Sequence, residues 1–584
     1  MAARISGPEP NVGPTLASDV TAMLGQGDRL SSTADLTASI PAELQGVEDD
    51  VVEPDIGIPT DACLSACSPP ASAPPSTSPS IFGEWGSATV DVATDRACFT
   101  PRAAQLDSLL QPGDPMTFFM HFLPPRILEN VVRGSVDIHL TQEELLAFIG
   151  LQIMASNHVF PVEELFEPYD DEFDRRPLFT QVMSLRRFRE IAGGLRLNEP
   201  NLCSNDPCYQ IRGMVDAFNE HMGARAVFTP SCTVCLDKST VTHHNDRVPG
   251  YTYAGRKPDP VGNDYHAMYD VHSRVLYHME LVEGAARTAH LPLRYAEHGK
   301  VSALILRMTE SSWGKGRVVV MDSEFCTLPA LVLLKKRGTF AVTVAKKGRS
   351  WPKYVPGDVV QTDMAGRPVG ELHGRSGQLD GERICLFSIN HQKYVLTLLS
   401  TYGSSVQMGP ERKVRLADGT LIGYRRNEPI EDYYQGRHAV DEHQRLRQSH
   451  KHDLERAWGN KSWDVRQLTF IVSVVLVNAL LWYKYRCKPE TPNSTMTMPE
   501  FRTRVADGLL TGYLKHKARQ TKPHKLVSLP AFQGSTPGKR VKKKYQAVRC
   551  RGDRCRKMVR RHCKCSATLF LCDDCFVDHL QAAI

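Results

Sequence analysis

The spacing of apolar residues along the chain changes character twice. From about Asp114 the segments MTFFMHFLPPRILENVV, TQEELLAFIGLQIMAS and VMSLRRFREIAGGLRL repeat apolar residues at three- and four-residue intervals, the period that gives a helix one buried face. Thr141 and Glu144 stand as a capping box at the head of the second segment. This predicts a helical N-terminal domain over 114–225. Short β-rich runs follow: CTVCLD ending at Asp237, YHAMYDV from Tyr265, VLYHMELV from Val275 and RVVVMD ending at Asp322, with a helical stretch at about 292–309 before the last. Further strand-like pieces (FAVTVAK, ERICLFSI, YVLTLLS), with turns such as LADGT, precede a helical return from about Asp432 to Tyr485. The expected fold is an α/β core in two parts, 226–345 and 426–487, interrupted by an inserted β-rich subdomain over 346–425. Two of its strands end in an aspartate at the carboxyl edge, where sheets of this kind gather their ligands.

The ends of the chain differ from its middle. The first 113 residues are rich in Ser, Pro, Ala and acid, with PPASAPPSTSPS as the clearest stretch, too poor in periodic apolar residues to offset the entropy of ordering. They predict a disordered acidic tail. The net charge of +6 conceals a polarity: residues 1–100 carry 14 acidic and 3 basic side chains, residues 501–565 carry 20 Lys or Arg and 2 Asp. The basic end is where a polyanion should bind. Residues 488–545, beginning KPETPNSTMTMPE and ending GKRVKKK, read as a basic linker and as a nuclear import signal, which predicts a nuclear protein. The most apolar run, LTFIVSVVLVNALLWY from Leu468 to Tyr483, is shorter than the ~20 residues of a spanning helix and is interrupted by Asn478. It reads as a buried core helix, with no membrane implied.

Sixteen cysteines raise the question of disulfides, but MAARISGPEP has no apolar export segment, so reduced and partly metal-bound thiols are expected. Cys550, Cys555, His562, Cys563, Cys565, Cys572, Cys575 and His579 fall within thirty residues at the C-terminus, and eight such ligands are what two tetrahedral zinc sites require. A segment as small as 546–584 needs metal to hold it folded. The Cys572–Asp573–Asp574–Cys575 knuckle is the most specific spacing, whereas Cys550 and Cys555 stand wider apart than usual. The His562/Cys563/Cys565 cluster allows several groupings, so a cross-braced domain is expected with its pairings open. Free buried cysteines are the plainer reading for single members of the set.

Divalent-metal phosphoryl chemistry needs carboxylates converging from separate elements, because each Mg²⁺ keeps waters and substrate oxygens and takes one or two protein ligands. Asp237 and Asp322 stand at strand ends, and Asp441 lies in the amphipathic stretch AVDEHQRLRQ, with Glu442 and Asp432 as nearby rivals. Taken singly, such aspartates more often form turns or caps.

In their context they resemble piggyBac-family transposases: VCLDKS with Asp237, YAGRKP from Tyr253 to Pro258, VVVMDSEFCT with Asp322, and YYQGRHAVDEHQ with Asp441. The likeness runs from about Asp114 to His579, through PMTFFMHFL, MSLRRF, WDVRQLTF and the closing C-x-x-C-F-x-x-H. It implies an RNase H-like catalytic core in which Asp237, Asp322 and Asp441 hold two Mg²⁺ ions. The implied activity is strand cleavage and transfer on double-stranded DNA, at transposon ends and TTAA targets, by a homodimer whose helical domain serves dimerisation and DNA binding. The cysteine-rich domain would read the transposon end.

The chain departs from the family pattern at the site itself. Lys238 follows the first aspartate where an acidic residue is usual, Ser323–Glu324 replace Asn–aromatic after the second, His438–Ala439 replace two glycines before the third, and Gln444 replaces an acid three residues after it. These changes motivate an alternative, a domesticated transposase-derived DNA-binding or chromatin protein without catalysis. A third reading makes the zinc end a peptide-binding finger of RING or PHD type, which its basic surroundings disfavour. Arg186, Arg187, Arg256 and Lys257 are candidate contacts to the DNA backbone.

Overall fold

Helices form where the three- and four-residue apolar period is strongest. The computed structural model of the chain describes residues 86–87, 100–108, 113–158, 161–167, 179–199, 205–253, 261–283, 294–345, 357–391, 394–415, 419–448, 453–459, 462–487, 495–520, 526–528, 548–552, 555–563 and 569–576. The helical region comprises α1 (Ala104–Asp107), α2 (Pro115–Phe122), α3 (Pro125–Gly134), α4 (Gln142–Ala155), α5 (Leu185–Gly194) and α6 (Tyr209–Gly223). Thr141 caps α4 as its sequence predicts, its hydroxyl accepting the Glu144 N–H at 3.2 Å. The packed chain begins earlier than Asp114, because Ala103 and Leu106 are buried and Arg102 bridges Thr229. Apart from these residues and a two-residue strand, β1 (Gly86–Ser87), the acidic tail lies outside the described residues.

The middle of the chain builds a ten-stranded mixed sheet. Its further strands are β2 (Thr233–Thr242), β3 (Tyr251–Tyr253), β4 (Val261–Asp270), β5 (Leu276–Leu281), β6 (Val318–Met321), β7 (Phe340–Val344), β8 (Leu372–Leu379), β9 (Glu382–His391) and β10 (Tyr394–Ser400). The order is β1-β8-β9-β10-β7-β6-β2-β4-β3, with β5 also on β4. β6 runs parallel to β2 and β7, and its residues Val318 to Met321 are all buried, as expected of parallel strands covered on both faces. Helices α7 (Lys300–Thr309), α8 (Leu328–Lys336) and α9 (Gly357–Ala365) come from the same region.

The inserted subdomain expected over 346–425 is divided. β8, β9 and β10 belong to the main sheet, joined where Ser400 pairs with Val342 and Leu398 with Val344. The cause is the apolar character of β9 and β10, which bury nearly every position and cover the otherwise open edge of β7. Only β11 (Met408–Arg415) and β12 (Leu421–Asn427) stand apart, as a two-stranded sheet.

The chain returns to the sheet through α10 (Glu428–Arg447), α11 (Leu454–Ala457) and α12 (Trp463–Arg486). α12 is long and apolar enough to cross a membrane by length and composition, but it is buried within the protein, as a helix apolar on all sides should be. Asn478, which interrupts its apolar run, donates to the Leu276 carbonyl at 2.8 Å and accepts the Leu276 N–H at 2.9 Å, taking the part of a neighbouring strand for β5.

The basic linker expected over 488–545 contains a helix. α13 (Met498–Gln520) buries Phe501, Val505, Ala506 and Leu509 and packs on α4 and α2, with Glu500 accepting the Thr497 N–H at 2.7 Å in its first turn. Its apolar period is obscured in the sequence by interspersed basic residues, of which Arg504, Lys515 and Lys517 are exposed and Arg502 is buried. The C-terminal region has short pairs, β13 (Leu526–Ser528) with β16 (Arg561–Cys563) and β14 (Val548–Arg549) with β15 (Met558–Val559), and a small core of its own around Cys550, Val559, Cys563, Leu571 and Cys572.

Candidate functional site

The site begins where the β2–β6 ladder ends. The two parallel strands are in register through Leu236 and Met321, so Asp237 and Asp322 are the next residues on adjacent strands. β6 stops at Met321, while β2 continues from Asp237 to Thr242, so Asp237 lies within a strand rather than at its end. Strand alternation puts Cys235, Asp237 and Ser239 on the face that α10 covers. The Asp237 carboxylate accepts the Lys238 N–H at 2.7 Å, and the Asp322 carbonyl accepts the Thr343 hydroxyl at 3.1 Å. Asp237 is half-buried and Asp322 exposed.

α10 crosses both strands. Gly436 lets it lie directly on β6, since a Cβ there would stand 2.8 Å from a Val320 methyl. Farther along, Gln444 donates to the Lys238 carbonyl at 2.7 Å, and Arg447 and Gln448 donate to the Thr240 carbonyl at 2.8 and 3.3 Å. These carbonyls belong to the part of β2 that has outrun β6, so helix side chains supply the donors a strand no longer offers. Asp441 sits between the two anchor points, 64% exposed and 3.5 Å from Arg437. The buried Cys235 thiol is pushed well up by burial first, then by the charges of Asp237, Asp322 and Asp441 together. Tyr433 of α10 is pushed up to about 12 by burial and then by Asp322. All three carboxylates therefore lie within electrostatic reach of one buried thiol near the end of the same strand pair.

The rivals have other work. Asp432 is buried and accepts the Tyr402 hydroxyl at 2.6 Å, and Glu442 is ion-paired with Arg274. Among the described residues the three aspartates do not form one tight donor cluster, whereas Asp206, Cys208 and Glu283 do. That second cluster already encloses a cation: Arg212 bonds Asp206 and Glu283, both at 2.8 Å. Mg²⁺ takes only one or two protein carboxylates and fills its other positions with water and substrate oxygens, so spaced carboxylates are compatible in donor chemistry with that ion.

Residues the sequence marked only as departures bond one another. Lys238 pairs with Glu324, and Gln444 takes the Lys238 carbonyl. Arg447, which sequence reasoning missed, is fully buried, ion-paired with Glu455 and placed over the Phe470 ring. Its only signal was the Gln444, Arg447, Gln448 spacing on one helix face. Arg187 is occupied by Glu144 and the Ile138 carbonyl, which argues against a DNA contact, while Arg186 is exposed. Arg256 and Lys257 lie outside the described residues.

At the C-terminus the sulfurs of Cys550, Cys555, Cys572 and Cys575 all lie within 4.8 Å of one another. Cys555 and Cys572 are 3.8 Å apart, the separation of thiolates about 2.3 Å from one tetrahedral ion. The Cys572 and Gly552 N–H groups donate to the Cys550 sulfur at 3.3 and 3.4 Å. The Cys572 thiol is lowered, chiefly by a backbone hydrogen bond from Cys575, while the neighbouring Cys575 thiol is raised by its bonds to the other sulfurs, so the set shares its protons. The four therefore group the wide first pair with the knuckle. His562 and Cys563 lie on β16 and join no such group among the described residues, and Cys565 and His579 lie outside them.

Residues 114–480 match the family described as Transposase IS4. A solved piggyBac transposase synaptic complex with hairpin DNA is similar in fold: the TM-score is 0.53 at 18% identity, covering 72% of this chain and 84% of that one. No curated protein matches.

Proposed function

Because the chain belongs to the IS4 transposase family, we propose that it is a piggyBac-type enzyme that cuts and rejoins DNA strands, with Asp237, Asp322 and Asp441 as its metal-binding triad. The observation that carries this reading is the convergence of the three carboxylates around Cys235, from two parallel strands and one crossing helix. An RNase H-like core is supported by the antiparallel meander β2, β4, β5, joined through β2 to parallel β6 and β7.

Two Mg²⁺ ions held by the triad would polarise a phosphodiester oxygen and acidify the attacking water or 3′-hydroxyl. The protein's part is to keep hard oxygen donors on rigid elements. Asp237 is fixed within a paired strand, while Asp322 and Asp441 stay open to solvent, leaving room for a phosphate between them. Lys238, whose charge motivated the reading without catalysis, is balanced by Glu324, so it does not set an uncompensated cation beside the metals.

The substrate is double-stranded DNA carrying transposon ends, with TTAA targets, and the working form is a nuclear homodimer. Zinc in the four-cysteine cluster, with a second ion held by His562, Cys563, Cys565 and His579, would fold a domain whose basic surroundings suit DNA.

Purified full-length protein with Mg²⁺ should nick DNA carrying matched terminal repeats beside TTAA. Asp322→Asn should slow nicking by at least about a hundredfold while leaving DNA binding intact. Equal nicking by wild type and variant would overturn the triad.

A further inference from the structure

Lys238 makes three contacts around the site. Its N–H donates to the Asp237 carboxylate at 2.7 Å. Its carbonyl accepts from Gln444, three residues beyond Asp441, at 2.7 Å. Its ammonium pairs with Glu324, two residues beyond Asp322. One residue thus touches the segment carrying each of the three carboxylates, just past the point where the β2–β6 ladder gives out at Leu236 and Met321.

We propose that Lys238, Glu324 and Gln444 form a positioning clasp that sets the separation of Asp237, Asp322 and Asp441. The inference rests on the metal-triad reading above. Backbone pairing fixes Asp237 but not the other two, since Asp322 has left its strand and Asp441 rides a helix. The Thr343 hydroxyl on the Asp322 carbonyl, and Arg447 and Gln448 on the Thr240 carbonyl, hold the turn and α10 at other points, so the clasp adds the ties next to the carboxylates, where a displacement of about 1 Å is enough to spoil a metal site. Lys238 faces away from α10 because strand neighbours alternate, so its side chain reaches the Asp322 turn from the opposite side of the sheet, over His266 and Phe325. The carbonyl of the same residue accepts the helix donor. The clasp therefore closes from both faces, and none of its three residues is itself a ligand.

The chemistry of each residue is specific to this work. A carboxylate at 444 has no hydrogen to donate to the Lys238 carbonyl, whereas the glutamine amide does. An acid at 238 would repel Glu324, whereas lysine attracts it. The positions that depart from the family pattern are thus matched to one another.

Mn²⁺ binding to full-length protein, followed by electron paramagnetic resonance, reads the clasp without catalysis. Lys238→Met, Glu324→Gln and Gln444→Met should each weaken Mn²⁺ binding by about three- to tenfold, the scale of one partly exposed ion pair or one hydrogen bond. Their thermal midpoints should stay near wild type. The reversed pair, Lys238→Glu with Glu324→Lys, should recover most of the lost affinity. Wild-type affinity in all three single variants overturns the clasp alone, as does a folded reversed pair binding no better than Lys238→Met. Absence of Mn²⁺ uptake by wild type overturns the triad and the clasp together.

Discussion

Asn478 sits in the middle of the most apolar helix of the chain and gives both its amide hydrogen-bonding groups to one residue of β5. His443 of α10 shares its oxygen at 3.2 Å. Replacing it by leucine keeps the volume but strands the N–H and C=O of Leu276 in a dry interior, and each stranded group costs about 1–3 kcal/mol. Asn478→Leu should therefore lower unfolding stability by about 2–5 kcal/mol, measured by the urea midpoint with an unchanged slope. A variant as stable as wild type would mean that the amide contributes nothing. The sequence shows that the apolar run is interrupted, but not why, because the partner lies 202 residues away. The same limit applies at the site. Asp237 and Asp322 are legible from strands that place them at one edge, while the Lys238–Glu324 pair and the Arg447–Glu455 pair join residues whose proximity only the fold creates.

Elements were legible where one period dominated and obscure where composition hid it. α4 and α12 follow from apolar spacing, and the paired β2 and β6 from short β-branched runs. α13 was hidden because basic residues interrupt its apolar spacing and it follows a Pro- and Thr-rich stretch, so it reads as linker unless Phe501, Val505 and Leu509 are seen as one stripe. That stripe closes the helical layer: Phe501 meets Tyr483 of α12 edge-on at 5.9 Å, and Gly508 admits Met116 of α2 so closely that an added Cβ would stand 2.6 Å from its sulfur. Phe501→Ala should cost about 3–5 kcal/mol through lost burial and a residual cavity, readable as a drop in thermal midpoint. If 498–520 were linker, the substitution would be silent. That β8, β9 and β10 join the main sheet was not legible for a related reason, since strand patterns show which residues are buried but not which edge they pair with.

Two apolar cores of very different size divide the described chain, one spanning the helices and sheet and one of a few residues around the cysteines. The large core supports the two strands and the helix that carry Asp237, Asp322 and Asp441. The small core buries few residues against the entropy of ordering its own loops, so under the proposed zinc reading its fold is expected to depend on the ion. Zinc removal should therefore separate the two functions. A strong chelator, or Cys575→Ser, is expected to abolish the ordered C-terminal signals and weaken salt-sensitive DNA binding, while the main calorimetric transition and Mn²⁺ uptake at the triad persist. Native mass spectrometry should count two zinc ions in the intact chain and fewer in the variant. Loss of the main transition on chelation would show that the small core supports the large one, and unchanged DNA affinity would remove the zinc end from DNA recognition.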